Sequence, residues 1–153
     1  MIREAKPEDL KQILDLLHQL SSLTEEDLRI SKTKFKKILR EIITDKNHII
    51  CVYESEQRLL GTATLVVQLN LSHGGRPYAH IENVVTDKDF RGNGVGKEMV
   101  DYLIKMADER DCYKSILNCE EKNIPFYEKC RFHLTGEVEM RRDTSSNQPV
   151  LNS

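Results

Sequence analysis

A chain of 153 residues is long enough to bury one core without disulfides or metals, and we expect a single domain over residues 1–143 followed by a polar tail over 144–153. Its 23 Lys and Arg against 25 Asp and Glu leave a formal charge of −2, which gives no global field to hold a polyanion and argues against nucleic acid as a partner. The four cysteines, Cys51, Cys112, Cys119 and Cys130, form neither a C-x-x-C pair nor a zinc-site spacing, so reduced thiols and no metal are expected.

In chain order, MIREA reads as a short strand. PEDLKQILDLLHQL reads as an amphipathic helix opened by Pro7 and acidic residues, with Leu10, Ile13, Leu14, Leu17 and Leu20 on one face. A polar link, SSLTEEDLRI, separates it from a second helix near residues 31–44, where Phe35, Ile38, Leu39 and Ile42 keep the helical period. From His48 the texture changes to β-branched runs, HIICVYE and LLGTATLVVQLN, joined by ESEQR as an antiparallel hairpin. LSHGGRPY is expected to be a loop and AHIENVVT the next strand.

Val95, Met99, Val100, Leu103, Ile104 and Ala107 then mark a helix, and YKSILNC a strand. NIPFYEKC predicts a short helix capped by Asn123 with Pro125 in its first turn, and FHLTGEVEM a last strand. The order β-α-α-β-β-β-α-β-α-β predicts an α+β fold on one mixed sheet flanked by helices. The charged start, MIREAKPEDL, lacks the apolar run of a signal peptide, and no stretch is long enough to span a bilayer. A soluble, cytoplasmic protein without a membrane partner is expected.

Residues 90–100, FRGNGVGKEMV, place three glycines at alternate positions between a strand and a helix. Such a loop lets N–H groups converge on an anion at the positive end of the helix dipole, and phosphate is its natural guest. A Walker A loop is excluded, because Arg91 and Glu98 stand where it needs Gly and Ser or Thr. Neither Gly92 nor Gly94 starts a G-x-G-x-x-G dinucleotide fingerprint. From the glycines alone, a turn that merely starts a helix is the alternative.

The pattern R-x-x-G-x-G from Arg91 to Gly96 resembles the acetyl-CoA loop of the GNAT family of N-acetyltransferases, and NIPFYEKCRF resembles that family's N-x-x-FYEK-x-GF segment. The resemblance implies the GNAT fold, with a mostly antiparallel central sheet, and acetyl-CoA as co-substrate. It assigns the pyrophosphate to the loop residues Arg91, Gly92, Asn93, Gly94, Val95, Gly96 and Lys97, the cofactor arm to Asn123, and the sulfur to Tyr127. Arg131 stands where the family has glycine before the final phenylalanine, which implies strain or a different helix end if that glycine serves a positive-φ turn.

HIENVV, DCYKSILNCEEKNIPFYEKC and EMRR further resemble the glucosamine-6-phosphate N-acetyltransferases over residues 80–142, and LLHQLS in the first helix adds Ser21. Asn83 and Asn118 depart from the acidic residues of that group, and LSHGGRPY has no likeness to its corresponding loop.

Acetyl transfer to an amine needs a neutral nucleophile, an oriented thioester, a stabilised oxyanion and a proton for the departing thiolate. Backbone amides near Val84 and Val85 are candidates to donate to the thioester carbonyl, and Glu82 to orient the amine or take its proton, directly or through water. The carbonyl of Asn118 would accept from the amine if the strands splay as in the family. Tyr127, a phenol with a reference pKa of about 10, would protonate the sulfur. The bland alternatives are a solvated strand carboxylate for Glu82 and a core aromatic beside Phe126 for Tyr127.

For a phosphorylated sugar the resemblance points to Arg142, with Arg141 beside it, reaching into the partner subunit's site of a homodimer. Chemistry alone adds Arg76, and each arginine is otherwise a solubilising charge. Ser21, Glu82 and Asn83 complete the candidate substrate set, while His73 and His80 read as substrate contacts or as satisfied loop and strand histidines. Rival readings keep the fold and change the acceptor to a polyamine, amino acid, antibiotic or protein amine, or keep coenzyme A binding without catalysis.

Overall fold

The computed structural model describes residues 1–20, 24–29 and 31–144, and its frame is one five-stranded sheet. Strands β1 (Ile2–Glu4), β2 (His48–Ser55), β3 (Arg58–Gln68) and β4 (Tyr78–Thr86) pair antiparallel in sequence order, and β5 (Lys114–Ile116) joins β4 in parallel. The nearly unbroken apolar run of β3 is buried along almost its whole length, as a central strand with helices on both faces must be.

Helices α1 (Leu10–Gln19), α2 (Glu25–Leu28), α3 (Lys32–Thr44), α4 (Val95–Glu109) and α5 (Ile124–Lys129) complete the order β-α-α-α-β-β-β-α-β-α. Met99, Val100, Leu103 and Ala107 of α4 close one core against Cys51, Ala63, Leu65, Ala79 and Ile81. On the opposite face, Ile13 and Leu16 of α1 close a smaller one against Val52, Leu59 and Val85. The four cysteines are free thiols, Cys51 and Cys130 buried and Cys119 exposed. None of the described helices is long and apolar enough to cross a membrane.

Three local features differ from the sequence expectation. The first helix begins one turn late, because Pro7–Asp9 form a tight 3-10 turn fastened by the buried Asp9 carboxylate. That carboxylate accepts from the Lys6 N–H at 2.7 Å and, at 2.7 and 3.0 Å, from both terminal nitrogens of Arg3. Within the helix the buried residues are Ile13 and Leu16, and Leu20, just past its end, is exposed. The polar link holds the short helix α2, announced by a Thr24/Asp27 capping box that the apolar period could not reveal.

The expected last strand, FHLTGEVEM, is not formed: the described residues after Phe132 carry no ladder pairing, and Leu134, Val138 and Met140 are exposed. The apolar alternation is real, but a strand needs a neighbour to take its backbone bonds, and this segment has none among the described residues.

Candidate active site

The glycine loop sits at the end of β4, where backbone conformation and packing each require a missing side chain. Gly92 and Gly94 have φ of 82° and 84°, left-handed values that glycine adopts without steric cost. Gly94 is also the residue from which α4 starts, and the first helical bond runs from the Glu98 N–H to the Gly94 carbonyl at 3.0 Å. The amides of Val95, Gly96 and Lys97 therefore have no partner inside the helix and point out of its positive end. The Val95 side chain is buried, so only its backbone faces a ligand, while Asn93 and Arg91 brace the loop through bonds to the carbonyls of Phe90 and Thr86. The Lys97 ammonium is paired with Asp101 one turn along the helix.

A bulge in β4 prepares the neighbouring backbone. Thr62 faces Val85 and Thr64 faces Glu82, so Asn83 and Val84 together oppose Ala63 alone. Asn83 takes the extra turn at φ 52°, a left-handed conformation that asparagine tolerates better than most side chains. The extra residue reverses the strand's alternation: Ile81 and Val84 pack towards α4, whereas Val85 packs towards α1. Glu82, next to Ile81, consequently projects on the α1 face, which alternation in the sequence could not decide. Its side chain is exposed.

Beside the bulge the sheet opens. β5 follows β4 for only three pairs, Tyr78–Lys114 to His80–Ile116, and among the described residues the β4 edge from Ile81 to Thr86 has no strand beside it. The chain then turns through the exposed Asn118 and Cys119 into α5, which lies against the start of α4 through Phe126 and Gly96. Tyr127 is half-buried there, its ring edge-on to Phe126 at 4.9 Å, and burial pushes its phenol up to about 12. Asn123 stands at the start of α5 but makes no side-chain cap bond; its amide bonds the Glu120 carbonyl instead, leaving the side chain exposed.

The departure at Arg131 resolves into a helix end. The Phe132 N–H reaches the Tyr127 carbonyl at 3.0 Å and the Arg131 N–H reaches Glu128 at 2.9 Å, a Schellman motif with Arg131 at φ 71°. The turn usually made with glycine is present, with an arginine in the left-handed position.

Loop, bulge and Glu82 thus lie on or after the stretch of β4 that has no β5 pairing, and Asn118, Asn123 and Tyr127 lie on the segment that runs from β5 through α5. Arg76 does not join them. It lies before the other end of β4, where its guanidinium donates to the Asp111 and Cys112 carbonyls, pairs with Asp111 at 3.1 Å and rests over Tyr113. His73 stacks on the same Tyr113 ring at 3.7 Å, and His80 bonds Gln68. Arg142 is exposed, Arg141 pairs with Asp143, and Ser21 lies outside the described residues. Sequence reasoning missed Asp87, a buried carboxylate at the root of the loop; its only signal was an Asp two residues before another, at a turn.

Residues 11–132 match the model of the Acetyltransferase (GNAT) family. The chain is 43% identical over 86 residues to a glucosamine 6-phosphate N-acetyltransferase of Trypanosoma brucei brucei, covering 56% of this chain and 58% of the relative. It is 34% identical over 126 residues to the glucosamine 6-phosphate N-acetyltransferase of Arabidopsis thaliana, covering 78% and 80%. The crystal structure of the Arabidopsis thaliana enzyme superposes with a TM-score of 0.85 over 94% of this chain and 97% of that one, at 30% identity. A glycine loop at a splayed, bulged strand, together with these likenesses over most of the chain, makes this protein a member of the GNAT acetyltransferase family.

Proposed function

We propose that the chain moves the acetyl group of acetyl-CoA to the amine of glucosamine 6-phosphate, by direct attack with both substrates bound. The observation that carries this reading is the opening of β4 from β5 directly beside the glycine loop. A pantetheine arm can lie along the free β4 edge as an extra strand would, with its pyrophosphate on the amides of Gly92 to Lys97. The choice of an amino-sugar phosphate as acceptor rests on the relatives named above.

In this reading backbone amides near Val84 and Val85, beside the bulge, hold the thioester oxygen as negative charge develops there. Glu82, on the α1 face, receives the proton of the attacking amine directly or through water, and the Asn118 carbonyl orients that amine. Tyr127, whose phenol burial raises to about 12 and which is therefore protonated at neutral pH, gives its proton to the departing sulfur. Gly92, Asn93, Gly94, Val95, Gly96 and Lys97 act through their backbone, with Arg91 and Asn123 at the edge of the cofactor site; Ser21 and Asn83 border the acceptor.

We infer a homodimer, and the C-terminal segment, which has no strand beside it among the described residues, supports this reading. Leu134, Val138 and Met140 alternate and are 73%, 83% and 92% exposed, an apolar strand face that a second copy would cover. Arg142, two residues beyond, would then be delivered to the partner's acceptor phosphate. Arg76, already committed to the corner before β5, serves the fold in this reading.

Thiol release from acetyl-CoA with glucosamine 6-phosphate, glucosamine, polyamines, amino acids and peptides tests the proposal. Saturable turnover with the phosphosugar alone is the expected result. Turnover with another amine would move the acceptor and keep the mechanism, and coenzyme A binding without any acceptor-dependent turnover would replace the enzyme by a binding module.

A further inference from the structure

The last residue of α1 is tied to the root of the cofactor loop. The Gln19 side-chain carbonyl accepts from the Lys88 N–H at 2.9 Å, next to Asp87, whose charged form Gln19 favours. Asp87 is 7% exposed and holds three bonds: from Arg58 at 2.8 Å, from the Asp89 N–H at 3.0 Å, and, through its own N–H, to the Leu60 carbonyl at 2.8 Å. Its carbonyl accepts from the Phe90 N–H at 2.9 Å, closing the 3-10 turn that leads into Arg91 and the glycines. Arg58 also covers the Phe90 ring, 4.9 Å from its centre. Every bond in this cluster fixes the direction in which the chain leaves β4 for the loop.

A second glutamine on the same helix supplies the comparison. Gln12, seven residues and two turns earlier, accepts from the Leu59 N–H at 2.8 Å and donates to the Gln57 carbonyl at 3.3 Å. Both side chains clamp α1 by accepting a backbone N–H with their carbonyl oxygen. Gln12 holds the β2–β3 turn, away from the loop; Gln19 holds the loop itself.

We propose, on the reading that the glycine loop holds acetyl-CoA, that Gln19, through the Lys88 N–H, and Asp87 form a strap that sets the cofactor loop, so that Gln19 is a positioning residue for acetyl-CoA although it touches none of the loop glycines.

The test compares Gln19→Met with Gln12→Met, titrating coenzyme A calorimetrically and following amide hydrogen exchange over residues 88–94 in its absence. Both variants lose one clamp of α1 and are expected to melt at similar temperatures. Gln19→Met alone is expected to raise the Kd for coenzyme A by about tenfold and to speed exchange in the loop. Unchanged affinity and exchange in Gln19→Met, or equal effects in Gln12→Met, would overturn the strap. A wild-type protein that does not bind coenzyme A would overturn the proposed function instead, and the exchange comparison would still decide the strap.

Discussion

Gly96 and Phe126 meet where α4 starts: a Cβ on Gly96 would stand 3.3 Å from the Phe126 ring and 3.1 Å from the Thr86 hydroxyl. The third glycine of the loop is thus required for closeness, whereas Gly94 is required for its left-handed backbone. Gly96→Ala is expected to push α5 away from the end of β4, and α5 carries Tyr127. Overpacking of one methyl costs about 1 kcal/mol, which lowers the melting temperature by about 3 °C. The KM for acetyl-CoA is expected to rise as well, and calorimetry with initial-rate kinetics separates the two effects.

Asn83 carries the bulge that turns Val84 and Val85, so its replacements sort by backbone tolerance rather than by charge. Asn83→Gly is expected to keep both fold and activity, because glycine adopts φ 52° freely. Asn83→Val, β-branched, is expected to cost about 2 kcal/mol if the bulge persists. If the bulge instead irons out, Glu82 and Val85 exchange faces with their neighbours and turnover is lost. Melting curves and kcat on the two variants check this ordering, and a Val variant as active as the wild type would contradict it.

Arg131 occupies the left-handed position of a Schellman motif, with no ring or carboxylate bond of its own to justify the conformation. Arg131→Gly removes that strain but adds freedom to the unfolded chain. The net expectation is a gain of about 0.5 kcal/mol, with acetyl transfer unchanged. Denaturant unfolding at neutral pH measures it.

Reading the sequence worked where local chemistry and tertiary demand agree. The apolar period of α4 and the three glycines before it are dictated by the same two facts, a buried helix face and a bare loop, and both are visible in a string of letters. Asn83 was visible only as a lost charge, because a bulge is a relation between β3 and β4 that neither strand states alone. The strand expected over residues 132–140 failed for the same reason in reverse: alternation specifies a face, but pairing needs a neighbour, and the described residues supply none. Arg76 looked like a phosphate ligand by composition and proved to be bonded to the carbonyls of Asp111 and Cys112. The roles of Gln19 and Asp87 could not be read, since they bond residues distant in sequence.

Acid is expected to loosen the protein through two buried carboxylates. Burial pushes Asp9 up, but the Arg3 guanidinium and the Lys6 amide outweigh it and hold the group below its ordinary 3.8; burial likewise raises Asp87, and the Asp89 amide, Arg58 and Gln19 outweigh it. A lowered folded value means that each contribution is complete above the unfolded value near 3.8 and is lost as pH falls through the folded one. Asp9→Asn keeps the shape and removes the charge, at an expected cost of about 2 kcal/mol at pH 7. The gap between wild type and Asp9→Asn is expected to close below pH 4, and denaturant melts from pH 7 to pH 3 follow it.

Tyr127 behaves in the opposite sense. Burial raises its phenol from 10 to about 12, so the folded protein binds that proton more tightly than the unfolded chain does. Its contribution to stability is therefore complete below pH 10 and is lost as pH rises from 10 through 12. Wild type is expected to lose melting temperature across that window faster than Tyr127→Phe, which has no proton to release. For catalysis, a phenol that stays protonated up to pH 10 cannot cause an alkaline fall in rate below that point, so any limb seen there belongs to another group. Removing the hydroxyl with Tyr127→Phe is expected to lower kcat by about 10²-fold or more while leaving the KM values nearly unchanged. Wild-type turnover in Tyr127→Phe would return the residue to a packing role against Phe126 and Phe132, and would leave the sulfur to take its proton from water.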